Sequence, residues 1–165
     1  MLTIRPFAEP DWNAVWQIVE PVLRAGDTYP YPPDITKDKA FDVWIAAPKA
    51  TYVAEDDENR AILGTYYIKP NHPSQGSHVC NCGYIVAEAA RGRGVASRMC
   101  EHSQHEAVRH GFRAMQYNLV VATNQGAVRL WQKMGFEIVG TLREAFKHPE
   151  LGYVDAHVMY KELET

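Results

Sequence analysis

The stretch Val86-Ala87-Glu88-Ala89-Ala90-Arg91-Gly92-Arg93-Gly94-Val95-Ala96 constrains this chain more than any other. A strand ending in β-branched residues runs through an Arg-Gly-x-Gly turn straight into an amphipathic helix. Glycines at such a turn let the backbone bend tightly and let a ligand come close to the main chain. The first N–H groups of a helix have no internal partner, and the helix dipole adds partial positive charge there. The turn therefore suits a phosphate group, and Arg91 and Arg93 add formal charge at the same place. On spacing alone, a turn that merely starts a helix, with solvated arginines, is an equal alternative, because a lone Gly-x-Gly is a weak signal. A dinucleotide site of the Rossmann kind fits badly. Ser97 stands where its third glycine belongs, and the strand at 115–121 ends without an acidic residue for a ribose. A Walker loop is absent.

The rest of the chain reads as alternating strands and helices. Residues 2–6 form a strand, and Trp12, Val15, Trp16, Val19, Val22 and Leu23 recur at helical spacing along one face, with Pro21 expected to kink or end that helix. Residues 26–34, with three prolines and a glycine, are loop, and 36–46 a second short helix. Strands follow at 51–55, 61–69 and 78–86, then a helix over 91–110, a strand at 115–121 and a helix at 125–134. Strands 136–142 and 154–160 close the chain as a hairpin around 148–152. This order predicts an α/β fold: a twisted mixed sheet of about seven strands with helices on both faces. No repeat or linker divides it, so residues 1–165 are expected to form a single domain.

Composition narrows the function. A chain of 165 residues buries roughly 70% of its unfolded surface and needs no metal or disulfide to hold a core. The net charge of −3 argues against a general nucleic-acid or membrane binder, since phosphate affinity rests on clustered cations. The opening Met1-Leu2-Thr3-Ile4-Arg5-Pro6 has no charged-then-apolar leader, and no apolar run nears the ~18 residues of a spanning helix. Cys80, Cys82 and Cys100 form no C-x-x-C pair, and Cys100 and His102 cannot share a helix face, so no disulfide and no metal is expected. These features describe a reduced, cytoplasmic protein.

A second constellation runs from Asn118 to Phe136. Asn124 stands where a helix N-cap belongs and Gly135 where a left-handed residue ends the helix. Ala127, Leu130, Trp131 and Met134 are expected to face the core together. Taken together, the two segments resemble the GNAT superfamily of N-acetyltransferases. Its signature R/Q-x-x-G-x-G/A after a strand is matched by Arg91-x-x-Gly94-x-Ala96. Its second signature is matched by Asn124, Ala127, Leu130, Trp131, Gly135 and Phe136. The element order is also the family's, so the resemblance covers nearly the whole chain.

The resemblance implies an acetyl-CoA-dependent enzyme that acetylates the amine of a small molecule by direct attack in a ternary complex. The main-chain N–H groups of Arg91, Gly92, Arg93, Gly94, Val95 and Ala96, with the Ser97 hydroxyl, would hold the pyrophosphate. Tyr84, Ile85 and Val86 would pair with the pantetheine arm, the N–H of Val86 facing the thioester oxygen. Asn124 and Ala127 would border the arm and Trp131 the sulfur. Two departures stand out. Many relatives carry a tyrosine acid where Trp131 stands, and an indole N–H cannot protonate a thiolate. Relatives often carry a glutamate base on the strand that here holds Asn81 and no carboxylate. The proton then falls to water relayed by Asn81 and Asn118, or to Tyr117, Tyr84, His78 or Asp155.

Residues 78–84 and 117–124 are similar to fungal acetyltransferases that detoxify proline analogues such as azetidine-2-carboxylate. That likeness implies that Asn81 and Asn118 position substrate or water and that Asn124 serves the cofactor. The N-terminal third does not match those enzymes. Within it, Asp27-Thr28-Tyr29-Pro30-Tyr31-Pro32-Pro33 offers Tyr29 and Tyr31 as an acceptor-pocket wall, an ordinary surface loop being the alternative. Two other functions stay open: a protein or peptide N-terminal acetyltransferase, and a non-catalytic acyl-CoA sensor. Exposed edges of the C-terminal hairpin suggest a homodimer.

Overall fold

The structure is a computed structural model that describes residues 1–164. Within them, seven strands make one sheet: β1 (Leu2–Pro6), β2 (Ala50–Asp56), β3 (Ile62–Pro70), β4 (Val79–Val86), β5 (Ala114–Val121), β6 (Glu137–His148) and β7 (Gly152–Glu162). Their spatial order is β1-β2-β3-β4-β5-β7-β6, and every neighbouring pair is antiparallel except β4 with β5. The helices are α1 (Trp12–Ala25), α2 (Lys37–Phe41, continued by a wider turn over Asp42–Ala46), α3 (Val95–Arg109) and α4 (Gln125–Lys133). This is the mixed α/β sheet that the sequence order predicts.

The two-residue period of the strands feeds two cores. Val53, Tyr67 and Ile85 turn to one face, where Val15, Val19 and Leu23 of α1 and Trp44 cover them. Tyr52, Tyr66, Ile68, Cys80 and Cys82 turn to the other, beneath Val95, Met99 and Cys100 of α3. Cys80 and Cys82 are packing residues, and all three cysteines are buried.

Four local expectations are corrected. First, of the two outcomes expected at Pro21, an end of the helix is excluded: α1 runs on and stops at Gly26, in the left-handed conformation with φ +65°. Proline removes one helical hydrogen bond, but Gln17, whose carbonyl is freed, is exposed to water, while Val19 and Leu23 anchor the opposite side. Second, α3 begins at Val95 rather than Arg91, because Gly92 and Gly94 sit at φ +77° and +76°, outside any right-handed helix. Third, no residue of α4 is fully buried. Val128, Trp131 and Met134 pack partly on the core, while Ala127 and Leu130 face a cleft. Fourth, the hairpin strands run to His148 and from Gly152, since bulges near Ile138 and Leu142 absorb residues that break the alternation. Glu144, at φ +50°, takes one of those bulges, and its N–H donates to the Asp155 carboxylate at 3.0 Å.

Candidate active site

The site grows from a parting of strands. β4 and β5 each run for eight residues, yet they pair only at Val79–Ala114 and Cys80–Met115. Beyond that point the two strands separate. Hydrogen bonds from Asn71 N to Val79 O and from Ala87 N to Leu63 O, both 2.8 Å, bracket the ladder with β3. Strand alternation between those two bonds turns the N–H and C=O groups of Asn81, Gly83 and Ile85 toward β3. Those of Cys82, Tyr84 and Val86 turn into the gap. Ile85, expected to pair with a ligand, instead lends the cleft its buried side chain.

One hydroxyl fills the middle of this free edge and takes up both main-chain groups of Tyr84, which were expected to pair with a ligand. Tyr29 Oη donates to the Tyr84 carbonyl and accepts from the Tyr84 N–H, each at 2.8 Å. The loop between α1 and α2 is thereby tied to β4, and Tyr31 stacks on Tyr29 at 6.2 Å between centroids. Both tyrosines line the cleft. Burial pushes the Tyr29 phenol well above its ordinary range, so it stays protonated.

At the C-terminal end of β4 the chain enters the glycine turn. The N–H groups of Arg91 and Arg93 turn inward to the carbonyls of Glu88 and Ala90, which takes them out of the expected phosphate cradle. Among the described residues, those of Gly92, Gly94, Val95, Ala96 and Ser97 have no main-chain partner, and a side chain at Gly92 or Gly94 would meet nothing within 4 Å. The turn is an open crown of donors at a helix N-terminus. The Arg93 guanidinium leans toward Asp56 at 3.6 Å, whereas Arg91 makes no ion pair among the described residues.

A cleft of about 1140 Å³ joins these parts, running from α1 and the tyrosine loop across the β4 edge to Arg91 and α4. A hollow of about 270 Å³ over the glycine turn shares Val86, Arg91, Gly92, Ala96 and Leu130 with it. On the far wall, the Asn124 side chain accepts from the Ala127 N–H at 3.4 Å, as an N-cap should. Trp131 lies 5.0 Å from the Tyr84 ring and 5.1 Å from Tyr117. An elongated ligand with an anionic end fits this space: donors at one end, the Val86 main-chain groups beyond the Tyr29–Tyr84 bond, and an aromatic wall opposite.

The candidate proton acceptors separate. His78 and Asp155 do not border the cleft, and Asp155 is occupied at the β6 bulge. Tyr84 and Tyr117 do border it, but their hydroxyls bond each other at 2.9 Å, and Tyr84 also reaches Ser103 at 2.7 Å. Burial pushes both phenols above their ordinary range, so both stay protonated at neutral pH. Asn81 is buried and spans the gap just past the last paired residues, its Nδ2 donating to the Gln116 carbonyl at 2.9 Å. Asn118 is exposed at the rim, where it donates to Asn71 at 2.7 Å and accepts from Gln116 at 3.0 Å.

Tyr67 is a site residue that the sequence reading missed. Its ring lies across β4 directly over Gly83, where an added Cβ would stand 2.6 Å from the ring. Only glycine at 83 leaves that space, and it carries the Tyr67 hydroxyl to 3.5 Å from Asn81 Oδ1. The alternation Tyr67-x-Lys69 opposite Gly83 was the one sequence signal, and it needed the strand register to be read.

Comparison with known proteins decides what this architecture is. A model of the Acetyltransferase (GNAT) family matches residues 12–136. The chain belongs to that family. Among its relatives, the N-acetyltransferase aca1 of Schizosaccharomyces pombe is 33% identical over 152 residues, covering 82% of this chain and 72% of that protein. A GCN5-related N-acetyltransferase from Kribbella flavida superposes with a TM-score of 0.93 at 42% identity over 98% of each chain. The phosphinothricin acetyltransferase of Sinorhizobium meliloti, solved with acetyl-CoA, shares the fold: TM-score 0.85 at 18% identity, over 98% of this chain and 88% of that one. This GNAT protein is an N-acetyltransferase. The glycine turn offers free main-chain donors, while the β4 edge beside it is capped at Tyr84 by the Tyr29 hydroxyl.

Proposed function

We propose that this enzyme acetylates the amine of a small molecule, an amino acid or an analogue of one, by direct attack within a ternary complex. The observation that carries the reading is the tyrosine loop, which Tyr29 ties to β4 so that Tyr29 and Tyr31 wall the cleft on the side of Tyr67 and Asn81. Acetyl-CoA supplies an activated acetyl thioester. The glycine-turn N–H groups, with Arg91, hold its pyrophosphate, and Tyr84, Val86 and Ile85 flank the pantetheine arm. The N–H of Val86 faces the carbonyl oxygen, where a developing negative charge gains from a fixed donor. Asn124, Ala127 and Trp131 form the opposite wall.

On the acceptor side, Tyr29 and Tyr31 shape the pocket, while Asn81 and Asn118 position the amine or the water that takes its proton. A covalent intermediate is disfavoured. Burial pushes the Cys82 and Cys100 thiols up, away from the reactive thiolate. The enzyme works as a single domain in the cytoplasm, takes neither nucleic acid nor membrane as partner, and pairs with a second copy through β6.

The test is acetyl-CoA-dependent CoA release over a panel of amines: free amino acids, proline analogues, methionine sulfoximine, polyamines, aminoglycosides and short peptides. Release with amino acids or their analogues is expected. Turnover confined to peptides would make this a peptide acetyltransferase. Acetyl-CoA binding by calorimetry without turnover would favour a sensor, a reading that Trp131 and the missing β4 carboxylate support. Absence of binding would overturn the assigned cofactor residues.

A further inference from the structure

The acceptor end of the cleft contains a cation that the roles above leave unused. Four charged side chains line the cleft: Asp27, Lys69, Glu88 and Arg91. Glu88 and Arg91 flank the glycine turn, whereas Lys69 lies on β3, opposite Asn81 in the strand register. Residues directly opposite one another in a pair of strands share a face, so Lys69, Tyr67 and Asn81 stand together on the α1 side of the sheet. Lys69 is half-buried and has neither an ion pair nor a side-chain hydrogen bond among the described residues. Its Nζ lies 5.1 Å from the Tyr67 ring centroid, a favourable cation–π separation.

That ring is fixed in turn. Gly83 makes room beneath it, and Trp44 meets it edge-on at 4.8 Å and 86°. The ammonium is thus seated on a rigid aromatic floor with its N–H donors unused. In the tyrosine loop that walls the cleft, Thr28 Oγ1 is buried without a hydrogen-bond partner and Asp27 is unpaired among the described residues. A free cation, a free anion and an orphaned hydroxyl among the described residues thus line one cleft, which suits a small zwitterion.

We propose that Lys69 binds the carboxylate of the acceptor, so that the preferred substrates are amines carrying a carboxylate and not simple amines or cationic polyamines. The inference rests on the small-molecule acetylation reading and narrows it. A compact ammonium with three donors is a point-charge anchor for an oxyanion, and a half-dry aromatic floor strengthens that attraction relative to open solvent. Anchored there, the acceptor presents its amine beside Asn81, at the mouth of the gap between β4 and β5.

The experiment compares L-proline, L-methionine, L-phenylalanine and methionine sulfoximine, each with its carboxamide, on the parent enzyme and on Lys69→Met and Lys69→Arg. The parent should favour the acids in kcat/KM by roughly 10- to 100-fold, the usual worth of a hydrogen bond to a charged group. Lys69→Met should raise KM for the acids by that factor, leave kcat and the carboxamides nearly unchanged, and leave the acetyl-CoA Kd intact. Lys69→Arg should retain part of the preference. Equal use of acids and carboxamides by the parent, or equal loss of both in Lys69→Met, overturns the assignment. If nothing on the panel turns over although acetyl-CoA binds, the acetylation reading fails by itself. Lys69 is then judged by NMR titration of the same acids into the CoA-loaded protein. Saturable binding lost in Lys69→Met upholds the carboxylate site, and no binding of any acid ends it.

Discussion

At the scale of single residues, the site turns on side chains whose partners are distant in sequence. Asn81 has two demands on its amide: it stitches β4 to Gln116 of β5 where the strands part, and its Oδ1 faces the Tyr67 hydroxyl. If its main role is to position the amine or a water, Asn81→Ala lowers kcat by roughly 10- to 100-fold, on the order of a lost charge-assisted hydrogen bond. The acetyl-CoA Kd should stay within about twofold, because the cofactor-side donors lie further along β4. Steady-state kinetics beside calorimetry separate the cases, and equal losses in both would make Asn81 a strand clasp only. That asparagine was legible in the sequence, since it stands in a strand where a carboxylate was expected. The Tyr29 bond to Tyr84, across 55 residues, was not. A loop of prolines and tyrosines announces irregular structure, but nothing local says which strand its hydroxyl will reach.

At the scale of elements, what the sequence made legible was local chemistry. The glycine turn and the Asn124 cap both follow from rules that act within a few residues, and both are found in place. The misread boundaries were set by context: α1 continues through Pro21 because tertiary burial of Leu23 outweighs one lost hydrogen bond, and α4 is only half-buried because a cleft takes part of its apolar face. Gly94 allows the turn to be tested alone. Its surroundings are open, so Gly94→Val disturbs folding only through the left-handed backbone, at about 1–2 kcal/mol. The new side chain stands over the free N–H groups, and the acetyl-CoA Kd should rise at least about tenfold; a Kd unchanged within about twofold would remove the turn from the cofactor site. In α3, burial holds the His102 pKa below its ordinary 6.5, against the pull of Glu106, and its Nδ1 meets the Tyr66 hydroxyl at 2.6 Å. The unfolded chain then takes up the proton first as pH falls. Stability from this group is complete above about pH 6.5 and drains as pH falls toward the lower folded value. The melting temperature should therefore drop from pH 7.5 to 5.5, and less so in His102→Asn, which keeps an acceptor without the charge. An equal drop in both proteins would place the titrating group elsewhere.

At the scale of the whole molecule, the seven-stranded sheet was readable as an order of elements, but its two most consequential features were not. The parting of β4 from β5 depends on how a parallel pair is spaced by the helices above and below, and no periodicity encodes it. The second feature is the last strand. Of the twelve residues of β6 only Phe146 is buried, and Ile138, Val139 and Leu142 remain 38%, 59% and 46% exposed at the edge of the sheet. Near the turn of the same hairpin, Leu151 and Tyr153 are 63% and 65% exposed. A long edge strand carrying apolar side chains on open surface invites pairing with another chain, and natural proteins usually cover or charge such edges. The cover proposed for it is a second copy, whose strand would satisfy the free N–H and C=O groups along β6. Light scattering behind a sizing column should give twice 18.7 kDa at tens of micromolar. Val139→Glu with Leu142→Glu should give 18.7 kDa, since like charges brought together across the two-fold axis of such a pair repel. Because the cleft is built from β4, β5, α1, the tyrosine loop and the glycine turn, the monomeric variant should keep its acetyl-CoA affinity. A parent protein that is already monomeric, or a charged variant that remains paired, would move the contact away from β6.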